Sequence, residues 1–389
     1  MKSDYKDEIL TIYLGERVDT SNAESVETEI NEIRAKFPDG SIVVDCDATE
    51  YVSSAGLRVI LRLGKKEPTL KIINVKPDVY EIFDMTGFTE ILSIAKAYKN
   101  ISIDGCEVIG QGACGKVYRL TQDTIVKVYS NNSSMEDILR ERSLAKKAFV
   151  MGVPTAISYD IVKVGEYYGT VFELLNAKSF AKELATNPDN MDYYVKLYTD
   201  ILKKAHSIET DDAAIPDLKP DILFRAEGVR SHLPKETGDK LVKLVENIPN
   251  SKHLIHGDYH IKNVMFQDGD VLIIDMDTLG VGNPVLEFGS MFNAYLGHSE
   301  VDHSAVERFF GITYDVAEKF WHKTLVEYFG ADDEKVKEAE KKARLLGYFR
   351  LLYRNVHRNL NKTEQGAKEY EAYRNKVIEL VAELDDLAL

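Results

Sequence analysis

At 389 residues the chain exceeds one ordinary domain, and 44% hydrophobic with 10% aromatic content argues against wholesale disorder. A formal net charge of −15 argues against nucleic acid or anionic membrane as the main partner, because both are held through basic patches. It favours a neutral or cationic small molecule, or a protein.

Cys46, Cys106 and Cys114 have no metal-ligand spacing, and their odd number gives no disulfide framework. Met1 to Glu8 is polar, without an apolar signal core, and no uncharged apolar run approaches the ~20 residues of a membrane span. The sequence reads as soluble and cytoplasmic.

Over the first hundred residues, strand-like and helix-like segments alternate. Ile9 to Leu14, Ser41 to Asp47 and Leu70 to Val75 are short β-rich runs. Between them lie a charged amphipathic helix, Ala23 to Lys36, opening after the capping types Thr20, Ser21 and Asn22, and a second helix, Ser53 to Lys66. A third, Pro77 to Met85, starts on a proline. This alternation predicts a small α/β layer domain, closed by Ile91 to Ala95 and followed by a polar boundary around Lys96 to Gly105.

From Cys106 the pattern changes. Val108 to Gly110, Val117 to Leu120 and Ile125 to Tyr129 are three strands in quick succession, and a helix over Ser134 to Val150 carries Glu136 and Asp137 in its first turn. Strands over Ile157 to Val164 and Thr170 to Leu175 follow. Beyond Asn176 the chain is mainly helical, except for a β patch from Leu254 to Asp277.

Chemistry concentrates at three places. Gly110, Gly112 and Gly115 sit at a hairpin tip whose backbone N–H groups suit phosphate oxygens; taken alone they also describe an ordinary turn. A dinucleotide fingerprint fails here, because a strand follows the glycines. Lys127 lies within the apolar strand Ile125 to Tyr129 and needs either solvent or a partner. Glu141 supplies one: it shares a helical stripe with Ile138, Ala145 and Ala148.

The third place is His256-Gly257-Asp258-Tyr259-His260-Ile261-Lys262-Asn263, followed by the strand Val271 to Ile274 and then Asp275-Met276-Asp277. Phosphoryl transfer to a hydroxyl needs a carboxylate to orient the acceptor, which suits Asp258. It also needs hard oxygen ligands for Mg²⁺, which Asn263 and Asp275 supply.

From about Ile103 onward the chain resembles the aminoglycoside phosphotransferase and choline kinase superfamily, distant relatives of protein kinases. The family's His-x-Asp-x-x-x-x-Asn loop matches His256, Asp258 and Asn263; its metal-binding aspartate matches Asp275, and its lysine–glutamate pair matches Lys127 and Glu141. Glu173 to Leu175 stand where the adenine-binding hinge lies. Gly282-Asn283-Pro284-Val285-Leu286-Glu287 resembles the family's Gly-Asp-Pro-x-x-Asp stretch, with Asn283 and Glu287 replacing aspartates. Asp277 and His256 remain open as acceptor or metal neighbours. Arg350, Arg354, His357 and Arg358 share one helical face, which fits a solvated face with local ion pairs better than an anion site.

The N-terminal segment resembles a STAS domain, the fold of anti-anti-sigma factors, through Glu16 to Ala23, Tyr51 to Leu57 and Met85 to Phe88. In that family a serine at a helix start is phosphorylated; the matching residue is Ser54, although the family's preceding acid is absent.

The resemblances imply an α/β STAS domain over residues 1–98, a linker over 99–105, and a bilobal α+β kinase-like fold. In the latter, a β-rich small lobe spans 106–175 and a mainly helical large lobe spans 176–389. The implied activity is transfer of the γ-phosphate of ATP, with Mg²⁺, to a hydroxyl of a small molecule, GTP being the alternative nucleotide and the STAS domain a docking or regulatory module for a protein partner. Two other readings are a protein kinase acting on a STAS serine, and a non-catalytic nucleotide-sensing scaffold.

Overall fold

Apolar and polar residues alternate along the central strands near the N-terminus, and that alternation builds the first sheet. In Ile9–Tyr13 and Ser41–Asp45 every second side chain is buried, with Leu10, Ile12, Ile42 and Val44 fully enclosed. In the computed structural model, which describes all residues except 113–114, 131–132 and 268, these strands lie within a five-stranded sheet. Its order is Lys2–Lys6, Ile9–Tyr13, Ser41–Asp45, Lys71–Val75, Ser93–Lys96. The first pair is antiparallel and the others are parallel. The edge strand Lys2–Lys6 was not anticipated. It is exposed throughout and has no apolar alternation to betray it. The hairpin before Ile9 holds both Asp7 and Glu8 at positive φ, as a tight turn between twisted strands requires.

Helices Ala23–Lys36, Ser54–Lys66 and Pro77–Met85 complete this α/β unit. Ser53 caps the second of them, accepting from the N–H groups of Ala55 and Gly56. Asn22 does not cap its helix with its side chain. It instead accepts from Asp19 N at 2.8 Å and donates to Arg17 O at 2.8 Å, which fixes the loop ahead of the helix.

The chain divides into two compact units: Met1–Asp104 with Ile161–Gly169, and Gly105–Asp160 with Thr170–Leu389. Ile161–Gly169 joins the first unit because Val162 and Lys163 pair in parallel with Lys99 and Asn100.

The second unit opens with the antiparallel strands Val108–Gly112, Gly115–Arg119 and Thr124–Tyr129. The helix Met135–Val150 follows, nucleated by a capping box in which Ser134 and Asp137 satisfy each other's backbone N–H groups. Helices then dominate, packing around Phe288, Phe292, Tyr295, Phe320, Trp321 and Phe349, all buried. The β patch is set among them: the hairpin Val264–Gln267/Asp270–Ile273, and the pair Leu254–Ile255/Gly280–Val281. No helix among the described residues is long and apolar enough to cross a membrane.

Candidate active site

The loop His256–Asn263 is clamped by polar side chains, most of them buried. Glu287, on the helix Val285–Phe292, is fully buried, and its two carboxylate oxygens accept from His256 N at 2.7 Å and Gly257 N at 3.0 Å. Burial opposes its charge, but His206, with Nε2 at 3.8 Å, and the loop's own groups outweigh that and hold the carboxyl below the usual range. Ser290, one turn on, donates to Gly257 O at 2.6 Å, and Thr278 donates to His256 O at 2.8 Å. Gly257 has φ +85°, and a Cβ there would fall 2.5 Å from Thr278 O, so the position demands glycine.

Three tyrosines hold the rest of the loop. Tyr259 donates to Tyr198 O at 2.6 Å, Tyr198 returns a bond to Tyr259 O at 3.2 Å, and Tyr295 donates to the Tyr198 hydroxyl at 3.0 Å. Tyr295 lies in the π-helical turn Asn293–Gly297, and its hydroxyl also accepts from Ile261 N at 3.1 Å.

Asp258 projects from this frame with its side chain 49% exposed. Partial burial works against its charge, but His260, whose Nε2 lies 3.5 Å away, keeps its carboxyl below the ordinary value. Asn263 donates its amide to Asp258 O at 3.0 Å, which leaves its side-chain oxygen for another partner. Ile274 N donates to Asn263 O at 2.9 Å, bringing the residue before Asp275 against the loop. Asp275 adopts a left-handed conformation, φ +68°, a strained geometry typical of sites under functional constraint.

Lys127 draws the distant segments together. Its Nζ donates to Glu141 Oε1 at 2.7 Å and to Asp275 Oδ1 at 2.9 Å. Burial disfavours the ammonium, but Asp275 and Glu141 more than reverse this and its pKa is raised. Burial, and then Asp275 beside it, push Asp277 the other way for a carboxyl, up to about 7.

Among the described residues no three His, Cys, Asp or Glu side chains form a metal cage. Asn263 and Asp275 do fit a hard cation that takes its remaining ligands from water and phosphate. They present oxygen atoms, and Asp275 keeps Oδ2 after Oδ1 has accepted from Lys127. His256 does not join them. It is buried, its Nε2 donates to Ile274 O at 3.0 Å and its Nδ1 accepts from Asp258 N at 3.2 Å, so it braces the loop instead of facing metal or acceptor.

Of the glycine hairpin, Gly115 is sterically obligatory, since a Cβ there would lie 2.0 Å from Val128 O. Gly112 faces open space and Gly110 makes ordinary contact with Val117. Ala113 and Cys114 lie outside the described residues. At the hinge, the N–H groups of Glu173 and Leu174 are taken by Ile157 O and Asp123 O, both at 2.9 Å. Among the described residues no hydrogen-bond partner meets the N–H of Leu175.

Residues 105–319 match the phosphotransferase enzyme family, over more than half of the chain. The chain belongs to that family. Residues 2–102 of this phosphotransferase match the STAS domain. That segment is similar to BtrV of Bordetella bronchiseptica, named an anti-sigma factor antagonist, at 35% identity over 86 residues, covering 21% of this chain and 72% of BtrV. The fold is shared with aminoglycoside phosphotransferase APH(2'')-Ib in an ADP-bound structure, at TM-score 0.50 and 16% identity, covering 77% of this chain and 98% of that one. It is shared equally with the streptomycin–ATP complex of APH(2")-IIa, at TM-score 0.50 and 15% identity, covering 77% and 97%. The architecture is therefore a STAS domain followed by a bilobal kinase-like fold.

Sequence reasoning missed several supports. Tyr198, Tyr295, Ser290 and His206 sit in apolar helical stretches where nothing distinguishes them from core. The stripe read as solvated is divided: Arg354 and Arg358 are exposed and His357 stacks on Tyr353, but Arg350 is half-buried and turned inward.

Proposed function

We propose that this phosphotransferase moves the γ-phosphate of ATP to a hydroxyl of a small molecule. The observation that carries the reading is the position of Lys127, bonded at once to Glu141 on its helix and to Asp275 at the end of the catalytic hairpin. In the reaction the acceptor oxygen attacks the γ-phosphorus and the bond to the β–γ bridging oxygen breaks. ADP leaves, and the hydroxyl proton passes to Asp258 and then to water. Asn263 and Asp275 would hold Mg²⁺, which would supply positive charge to offset that of the phosphates. Lys127 clamps the phosphates, the backbone of Gly110 to Gly115 covers them, and Glu173 O with Leu175 N–H meets the base.

The test is ADP release by the full chain with Mg²⁺–ATP and a panel of hydroxyl acceptors. Asp258→Asn is expected to lower transfer by about 10³-fold while nucleotide affinity persists. Equal turnover by the two proteins would sink the reading.

The STAS domain is proposed to dock a protein partner, with phosphorylation of Ser54 as its regulator. Ser53 already caps the helix, so the exposed Ser54 hydroxyl has no capping duty. A phosphate there would sit at a helix N-terminus and add roughly −2 charge to the docking surface. Mass spectrometry after incubation with ATP, alone or with added STAS proteins, tests whether this enzyme itself modifies such serines.

A further inference from the structure

Two arginine-bearing helices pack close to the loop His256–Asn263. The helix Lys219–Arg230 starts beside it: Leu218 N donates to Val281 O at 3.0 Å, and the Leu218 side chain occupies the space a Cβ on Gly280 would need. Gly280–Val281 in turn pairs with Leu254–Ile255, directly ahead of His256. The helix Asp333–His357 arrives from another side. Its Gly347 packs so closely on the helix Val285–Phe292 that a Cβ would lie 2.5 Å from Phe292 Cδ1 and 3.2 Å from Gly289 O. Gly228 against the ring of Tyr353 locks the two arginine-bearing helices together. Arg225 and Arg350 project from them.

Arg350 is in an unusual position. It is half-buried, and among the described residues it has no hydrogen bond or ion pair. Its charge is felt at Asp258, while burial, and then the neighbouring Arg225, push the guanidinium down to about 10. The carboxylates that reach it electrostatically are each committed elsewhere. Asp221 pairs with Arg225 at 2.8 Å, Glu287 holds the N–H groups of His256 and Gly257, and Asp258 faces His260. Arg225 lies over the Tyr353 ring at 5.8 Å, and its buried Nε has no hydrogen-bond partner among the described residues. A half-buried cation with unused donors, on a helix packed against the one whose Glu287 and Ser290 hold the loop of Asp258, is half of an ion pair.

We propose that Arg350, supported by Arg225, receives an anionic group of the acceptor, which is therefore a hydroxyl compound bearing a carboxylate or a phosphate. This rests on the reading of Asp258 as the acceptor's carboxylate. It reverses the expectation drawn from net charge, because a charge of −15 spread over the whole chain says nothing about one cleft.

Matched acceptors test it with the full chain: D-glycerate and sn-glycerol 3-phosphate against glycerol, L-serine against ethanolamine, and kanamycin. At least one anionic member should exceed its uncharged or cationic counterpart tenfold or more in kcat/KM. The glycerate and phosphate arms separate the two oxyanions. On the preferred anionic acceptor, Arg350→Met should lower kcat/KM by about 30-fold or more, chiefly through KM, and Arg350→Lys should restore part of it. Arg225→Met gives the same comparison if Arg350→Met fails to fold. Preference for the neutral or cationic members, or undiminished kcat/KM in both methionine variants, overturns the inference. Nucleotide binding without turnover of any anionic member also overturns it, yet leaves the phosphotransferase reading standing. Absence of nucleotide binding sinks both.

Discussion

The first unit and the catalytic loop are stabilised by opposite means. In the STAS domain the sheet is fixed by enclosed aliphatic side chains such as Ile12, Ile42, Val44 and Ile72, while its charged groups pair at the surface, as in Arg62–Glu27. The loop from His256 to Asn263 is fixed by Glu287, Ser290 and the tyrosine trio, buried groups that would be costly if any lost its partner, with a further bond from the exposed Thr278. An apolar core tolerates exchange of one aliphatic residue for another of similar volume. A buried polar clamp is directional: it sets backbone carbonyls and N–H groups within tenths of an ångström, as the proposed meeting of Asp258 with a hydroxyl requires.

That contrast can be broken most forcefully at Glu287. Glu287→Ala leaves two buried loop N–H groups without their acceptor; it should cost about 4 kcal/mol of stability and abolish transfer, read by urea unfolding and ADP release. Loss of stability with intact transfer would show that the clamp does not position Asp258. The apolar counterpart is Ile42→Ala, for which about 3 kcal/mol is expected. It should be read as a lowered denaturation midpoint for the STAS domain, and Ile42→Val should recover most of it.

Asp277 sharpens the comparison through pH. Its carboxyl is raised from 3.8 to about 7 by burial and by Asp275, so the fold disfavours its charge. Between these values the native state holds a proton that the unfolded chain has lost. Stability therefore falls as pH climbs from about 4 to about 7, and Asp277→Asn should flatten that slope in denaturation curves taken without metal. The smallest effect expected is at Ser53, where replacement by Ala removes the helix cap at a cost of about 1 kcal/mol, measurable as a small shift in Tm. A change of several kcal/mol would mean that the start of this helix carries more of the STAS fold than its two capping bonds indicate.

Much of this was legible in the linear chain. Period-two alternation marked Ile9–Tyr13 and Ser41–Asp45, and the serine and acid at 134 and 137 marked a helix start. The spacing from Asp258 to Asn263 to Asp275 suggests metal-assisted transfer, the function proposed above. Lys2–Lys6 escaped because an exposed edge strand needs no apolar pattern, only a neighbour to pair with. His256 stayed open in the sequence as an acceptor or metal neighbour, because its role depends on what its two nitrogens meet, and that is backbone in both cases.

The sequence by itself determined most of the strands and helices, Lys2–Lys6 excepted, and which residue types stand at spacings suited to phosphoryl chemistry, since both follow from local spacing and residue type. Tertiary structure alone decided that Glu287 would hold the loop, that Lys127 would meet Asp275 across 148 positions, and that Arg350 would be half-buried with no ion-pair partner among the described residues. The reason is that an unpaired buried charge or a shared hydrogen bond is defined by what stands opposite it, and what stands opposite comes from distant parts of the chain.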